Sequence, residues 1–108
     1  MVGAGDDCAL FTVKPGMQLA TSTDLLLESR HFFSGTDPLH LGHKALAVNL
    51  SDLAAVGAKP IACLLGLGLP SIDEQWVSQF AEGFYALADE HGCALVGGDT
   101  TRSDQGIT

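Results

Sequence analysis

DPLHLGHKALAVNLSDLAAVGAKPIACLLGLGL, residues 37–69, decides the fold, because a helix signal and a strand signal follow one another directly. Asp37 is a good N-cap, and Pro38 suits the first helical position, where a missing N–H costs nothing. Leu46, Leu50, Leu53 and Ala54 then recur at helical spacing and give the helix one apolar stripe. Gly57 is a natural stop, with Pro60 just beyond it. The segment that follows, PIACLLGLGL (60–69), is apolar at both alternating sets of positions, the pattern of a strand buried on both faces.

The flanking segments repeat the theme. Ser71-Ile72-Asp73-Glu74 has the form of a capping box, with Ser71 as cap and Glu74 reaching back. Trp76, Phe80, Phe84, Leu87 and Ala88 form the apolar face of a second helix, which Gly92 ends, and CALVGG (93–98) is the next strand. On the N-terminal side, CALFTV (8–13) has strand character, Pro15-Gly16 is a turn signal, and MQLATSTDLLLE (17–28) reads as a longer strand. Residues 8–28 are therefore expected to form a hairpin, with a loop around Ser34-Gly35-Thr36.

The expected order is β-β-α-β-α-β, with a further strand starting near Gly106. This is an α+β fold: a mixed sheet of about four strands with both helices on one face. One set of side chains in 60–69 (Ile61, Cys63, Leu65, Leu67, Leu69) can lie beneath the helices. The other, Ala62 and Leu64 with two glycines, needs a cover that a chain of 108 residues has nothing left to supply. A second copy is the simplest cover, so the sheet face is expected to form a homodimer.

Composition narrows the function. A formal charge of −8 with five Lys and Arg argues against nucleic acid as a partner, since phosphate backbones need cationic side chains. It suits divalent cations, or a phosphorylated ligand whose charge they neutralise. Cys8, Cys63 and Cys93 are odd in number and widely spaced, with no CxxC pair, so they read as reduced thiols of a cytoplasmic protein. The longest apolar run, 61–69, is far too short to span a bilayer, and no membrane partner is expected.

Four acids stand in apolar or small surroundings without an adjacent Lys or Arg: Asp7, Asp24, Asp52 and Asp99. Singly, each is an ordinary surface group or cap. Asp52 fits an exposed helix position, with Asn49 one turn earlier on the same polar face. Together they raise a different possibility. If the ends of strands bring Asp7, Asp24 and Asp99 side by side with Asp52 facing them, each pair about 5 Å apart repels by roughly 3 kcal/mol at an effective dielectric near 20. Hard divalent ions relieve this, and Mg²⁺ takes a few carboxylates plus waters and substrate phosphates. Ser22, Thr23, Thr100 and Thr101 add short oxygen donors beside Asp24 and Asp99.

The remaining polar signals are weaker. GAGDD lacks the third glycine of a dinucleotide fingerprint and precedes a strand, and the chain contains no GxxxxGK[ST] loop. Gly97-Gly98 is either a plain turn or a place where bare N–H groups approach a phosphate. His31, beside Arg30 in ESRHFF, is a structural residue or an anion contact. Lys44 by default solvates the first turns of its helix.

GDDCAL (5–10), STDLLLESRHF (22–32), GHKALAVNLSDLAAVGAKP (42–60) and GGDTTR (97–102), in this order over essentially the whole chain, resemble the thiamine-monophosphate kinases. That family lies in a superfamily with aminoimidazole ribonucleotide synthetase and selenophosphate synthetase. The resemblance implies ATP-dependent phosphorylation of thiamine phosphate to thiamine diphosphate. It places Asp7, Ser22, Thr23, Asp24, Asp52 and Asp99 on magnesium positions, His31 on the substrate-contacting histidine, and Gly98-Asp99 on a nucleotide-contacting segment. It also implies a dimer through the sheet, with ATP near the interface. Family members begin with a segment before GDD and continue into a second α/β domain. Residues 1–108 are thus expected to be one domain, the Mg-ATP-binding and dimerisation half of a two-domain kinase, inactive by itself. The shared acids leave two alternatives: another ATP-using synthetase of the superfamily, or a non-catalytic cation-binding dimerisation module.

Overall fold

The computed structural model describes residues 8–108. Helix α1 runs Pro38–Ala55, strand β1 Ala62–Leu69, helix α2 Glu74–Glu90 and strand β2 Ala94–Arg102. The start of α1 is the expected one: the Asp37 carboxylate accepts from the N–H of Leu39, and Pro38 occupies the first turn. Helix α2 differs. Its cap is Asp73, whose carboxylate accepts from Gln75 N and Trp76 N, and not Ser71. An aspartate two residues nearer the helix reaches two orphan N–H groups at once, which displaces the proposed Ser71–Glu74 box.

Strands β1 and β2 pair in parallel, joined by α2 as the crossover. Their register shifts between Cys63 and Leu64, so that Cys63 faces Leu95 and Leu64 faces Gly97. Val96 is the extra residue, and it turns inward to be 3% exposed. Strand β2 also runs past the glycine pair to Arg102, so Asp99 sits within a strand rather than at its end. Gly98 is at φ 146°, and a Cβ there would lie 1.9 Å from the Leu65 carbonyl oxygen, so glycine is required simply for the strands to meet.

On the other edge of β1, Gly68 both donates to and accepts from Thr108 (2.7 and 3.0 Å), the mutual exchange of an antiparallel pair. Glu28 N–H in turn donates to Ile107 O, and the Glu28 carboxylate accepts from Ile107 N at 2.8 Å. That backbone bond, with a side-chain hydrogen bond from Ser34, holds the Glu28 carboxyl below the usual range. The further strand expected near Gly106 does not form among the described residues: 106–108 make this short pairing with Gly68 and Glu28, and the sheet consists of β1 and β2.

The expected hairpin is absent. Among the described residues, the backbone of 8–26 makes a single main-chain hydrogen bond, from Met17 N to Lys14 O, across the turn at Pro15-Gly16. The turn forms where the sequence placed it, but 8–13 and 17–28 are not strands, leaving two strands among the described residues rather than about four. The alternating apolar pattern finds no surface among the described residues to lie on: Leu10, Phe11, Val13, Met17, Leu19 and Leu25 are all exposed. An open cleft of about 1450 Å³ separates this arm from the body, lined by Leu19 and Leu25 on one side and by Leu53 and Leu64 on the other.

The core lies between the two helices and the inner face of β1 and β2. Leu41 and Leu46 of α1 meet Phe80, Phe84, Leu87 and Ala88 of α2, with Cys63, Leu65 and Leu67 of β1 beneath them. Trp76, Phe80 and Phe84 stack in sequence along α2, at centroid distances of 5.3 and 6.3 Å. The two helices touch backbone to backbone. A Cβ on Gly83 would lie 1.9 Å from Leu39 O, and one on Gly42 would lie 2.1 Å from Phe80 O. Burial beside the buried Cys93 raises the Cys63 thiol to about 12, so this pair is inert sulfur within the core.

Candidate functional site

The site is built where the exposed arm crosses the polar side of α1. Asn49 and Asp52, three residues apart, share that side. Ser22, from the arm, bridges them: its Oγ lies 3.0 Å from Asn49 Oδ1 and 3.2 Å from Asp52 Oδ2. The Asn49 amide is oriented from behind, because its Nδ2 donates to the Ala45 carbonyl at 3.2 Å. Asp24 and Asp52 line one small pocket of about 350 Å³ together with His31, Lys44 and Val48.

His31 is held by a tight loop. Leu27 N–H donates to His31 Nδ1 at 3.0 Å, while the Leu27 carbonyl accepts from His31 N–H at 2.9 Å and from Arg30 N–H at 3.1 Å. Nδ1 is therefore the acceptor, and in the neutral ring the proton sits on Nε2. The loop closes through Ser29, whose N–H donates to Phe32 O at 2.7 Å with φ 68°. A left-handed backbone at a non-glycine residue costs about 1 kcal/mol, and here it buys the placement of the ring. From α1, Lys44 Nζ donates to the His31 carbonyl, so a lysine expected merely to solvate its helix instead ties helix to loop.

The structure therefore brings Ser22, Asp24, Asp52 and His31 together. Thr23 lies between Ser22 and Asp24 on the exposed arm. Asp99 stands apart: it is exposed in β2 opposite Gly66, and it does not line the pocket. Asp7 lies outside the described residues. Among the described residues no three His, Cys, Asp or Glu side chains form a ready metal cluster. The oxygen donors that converge, a hydroxyl and two carboxylates, are hard ligands of the kind Mg²⁺ takes, while the His31 imidazole lines the same pocket with its Nδ1 already accepting from Leu27 N. Asn49, expected only to share the exposed polar face of Asp52, is a further participant. Its spacing three residues before Asp52 was the available signal.

No helix among the described residues is long and apolar enough to cross a membrane. Residues 5–108 match the family described as AIR synthase related protein, N-terminal domain. The chain is 48% identical over 106 residues to the thiamine-monophosphate kinase of Salmonella typhimurium strain LT2, covering 98% of this chain and 33% of that protein. It is 47% identical over 107 residues to the one of Escherichia coli K12, covering 99% of this chain and 33% of that protein. Among solved structures, it superposes on a thiamine-monophosphate kinase from Stenotrophomonas maltophilia K279a with a TM-score of 0.87 at 48% identity, over 95% of this chain and 32% of that one. It thus spans about a third of the length of the curated relatives it matches. With a matching sequence over nearly its whole length and a matching fold, the chain belongs to the AIR synthase related N-terminal domain family.

Proposed function

We propose that this chain is the Mg-ATP-binding and dimerisation domain of a two-domain cytoplasmic kinase that converts thiamine phosphate to thiamine diphosphate. The observation that carries the reading is the pocket shared by Asp24, Asp52, His31 and Lys44, with Ser22 tied to Asp52 at its edge. Oxygen donors for a cation stand beside cationic and N–H donors for an anion. Transfer of a γ-phosphoryl group forms a bond from Pγ to a phosphate oxygen of thiamine phosphate and breaks the bond from Pγ to the β-phosphate oxygen, releasing ADP. The acceptor oxygen is already anionic, so the protein needs no nucleophile of its own, and positioning and charge neutralisation do most of the catalysis.

In this reading Asp7, Ser22, Thr23, Asp24, Asp52 and Asp99 hold Mg²⁺, which when bound neutralises the facing phosphates. Asp99 joins the others through the nucleotide, with Gly98 beside it against the phosphates. His31 offers Nε2–H to the phosphate of the substrate. The test is transfer of ³²P from γ-labelled ATP to thiamine phosphate by the full-length protein, with and without EDTA. Labelled thiamine diphosphate formed only with Mg²⁺ is the expected result. Transfer to a different acceptor in a panel of superfamily substrates would move the chain to another member of the group, and no turnover with cation binding intact would leave a non-catalytic module.

The dimer belongs to the same proposal. Leu64, on the outer face of β1, is 65% exposed, and Leu25 across the cleft is 74% exposed. Covering a few hundred Å² of such surface is worth about 25 cal/mol per Å², or several kcal/mol, which favours a two-fold partner presenting the same face. Leu64→Glu is expected to dissociate the dimer in sedimentation equilibrium while leaving the far-ultraviolet circular dichroism unchanged. A wild-type protein that stays monomeric at micromolar concentration overturns the sheet-face dimer.

A further inference from the structure

Ser22 can serve a cation only through its lone pairs, and its single hydroxyl proton must then point elsewhere. Two acceptors compete for that proton: Asn49 Oδ1 at 3.0 Å and Asp52 Oδ2 at 3.2 Å. Their consequences are opposite. A proton given to Asp52 occupies the carboxylate oxygen that a cation would use, and a cation then has to break that bond to enter. A proton given to Asn49 leaves the Ser22 lone pairs and both Asp52 oxygens free to face the same space.

We infer that Asn49 is a positioning residue that takes the Ser22 hydroxyl proton and so sets the polarity of the cation site. The amide is suited to this because it cannot turn round. Its Nδ2 is committed to the Ala45 carbonyl one turn back in α1, which accepts and cannot donate, so Oδ1 is the end that faces Ser22. Asn49 is half-buried on the helix, whereas Ser22 rides on the exposed arm. The side chain anchored on the helix therefore orients the one on the arm. Asn49 touches no reacting group and acts only through Ser22.

This rests on the proposed cation-dependent kinase reading, and the test separates the two. Mn²⁺ is titrated into the full-length protein without nucleotide, and free Mn²⁺ is read by electron paramagnetic resonance. Asn49→Ala is expected to weaken Mn²⁺ binding about tenfold, the size of one lost charge-linked hydrogen-bond arrangement. Asn49→Asp, which keeps an acceptor for Ser22, is expected to restore binding to at least the wild-type level. In a Ser22→Ala background, Asn49→Ala should have no further effect, because the proton it manages is gone. A merely structural role would lower the melting temperature of Asn49→Ala without moving Mn²⁺ affinity, and that result overturns the inference. So does an equal loss in the Ser22→Ala background. A wild-type protein that binds no Mn²⁺ overturns the cation reading itself, and the inference with it.

Discussion

Asp52→Asn is expected to slow phosphorylation of thiamine phosphate by the full-length protein by on the order of 100-fold, about 2.7 kcal/mol of transition-state stabilisation. The substitution keeps the size of the side chain and one carbonyl oxygen, so it keeps an acceptor for Ser22. It removes the charge. Asp52 is exposed on α1 and shares its pocket with Asp24, so nothing in the packing depends on it, and removing one of two like charges relieves repulsion. The melting temperature should therefore hold while kcat falls, and Asp24→Asn on the same pocket should act in the same direction. Raising Mg²⁺ should recover part of the loss if the charge acts through the cation. Near-normal turnover would return Asp52 to an ordinary surface acid of its helix.

The second large effect is on stability. Gly83→Ala adds one methyl group where a Cβ would sit 1.9 Å from a backbone oxygen of α1, while ordinary contact begins near 3.4 Å. No rotamer change relieves this, because both atoms belong to helical backbones, so the helices must separate and open the core around Phe80 and Phe84. Alanine is the better helix former by about 1 kcal/mol, which offsets part of the cost. We expect a net loss of about 3 kcal/mol, which for a domain of this size lowers the melting temperature by about 10–20 °C. Gly66→Ala is the control: its Cβ would meet nothing within 4 Å, and it should melt close to wild type. A Gly83→Ala protein as stable as that control would show that the helices do not approach as described.

Much of this architecture was legible. Both helices and the β1 strand follow from apolar spacing and caps, because those elements bury their faces within the chain itself. Asp73 displaced Ser71 because a cap is chosen by reach, which one residue of sequence does not reveal. The arm was misread for a deeper reason. CALFTV and MQLATSTDLLLE carry a strand's alternation, but a strand also needs a ladder partner and a surface, and the described residues supply neither. Asp7, Asp24 and Asp99 were read as strand ends. Asp99 instead lies within β2, and Asp24 lies in chain that pairs with no other described strand, so among the described acids Asp24 and Asp52 share the pocket. Asn49 was placed on the polar face of Asp52, but its task was not legible because it depends on Ser22, which lies 27 residues earlier. Gly42 and Gly83 were the missed clues, since a glycine inside a helix costs stability unless another backbone needs the room.

Among the described residues the backbone of 8–26 has a lone main-chain hydrogen bond, so the candidate site joins two halves that are held very differently. Asn49 and Asp52 belong to a helix whose amides open only with the core, whereas Ser22 and Asp24 belong to backbone with almost nothing to break before it moves. Whatever grips both halves must meet the entropy of ordering that arm, about 1 kcal/mol or more for each residue fixed. Two ligands that each order it would share that cost, so the first to arrive lowers the threshold for the second. Cation, nucleotide and second subunit would then bind cooperatively, with no change of shape in either helix.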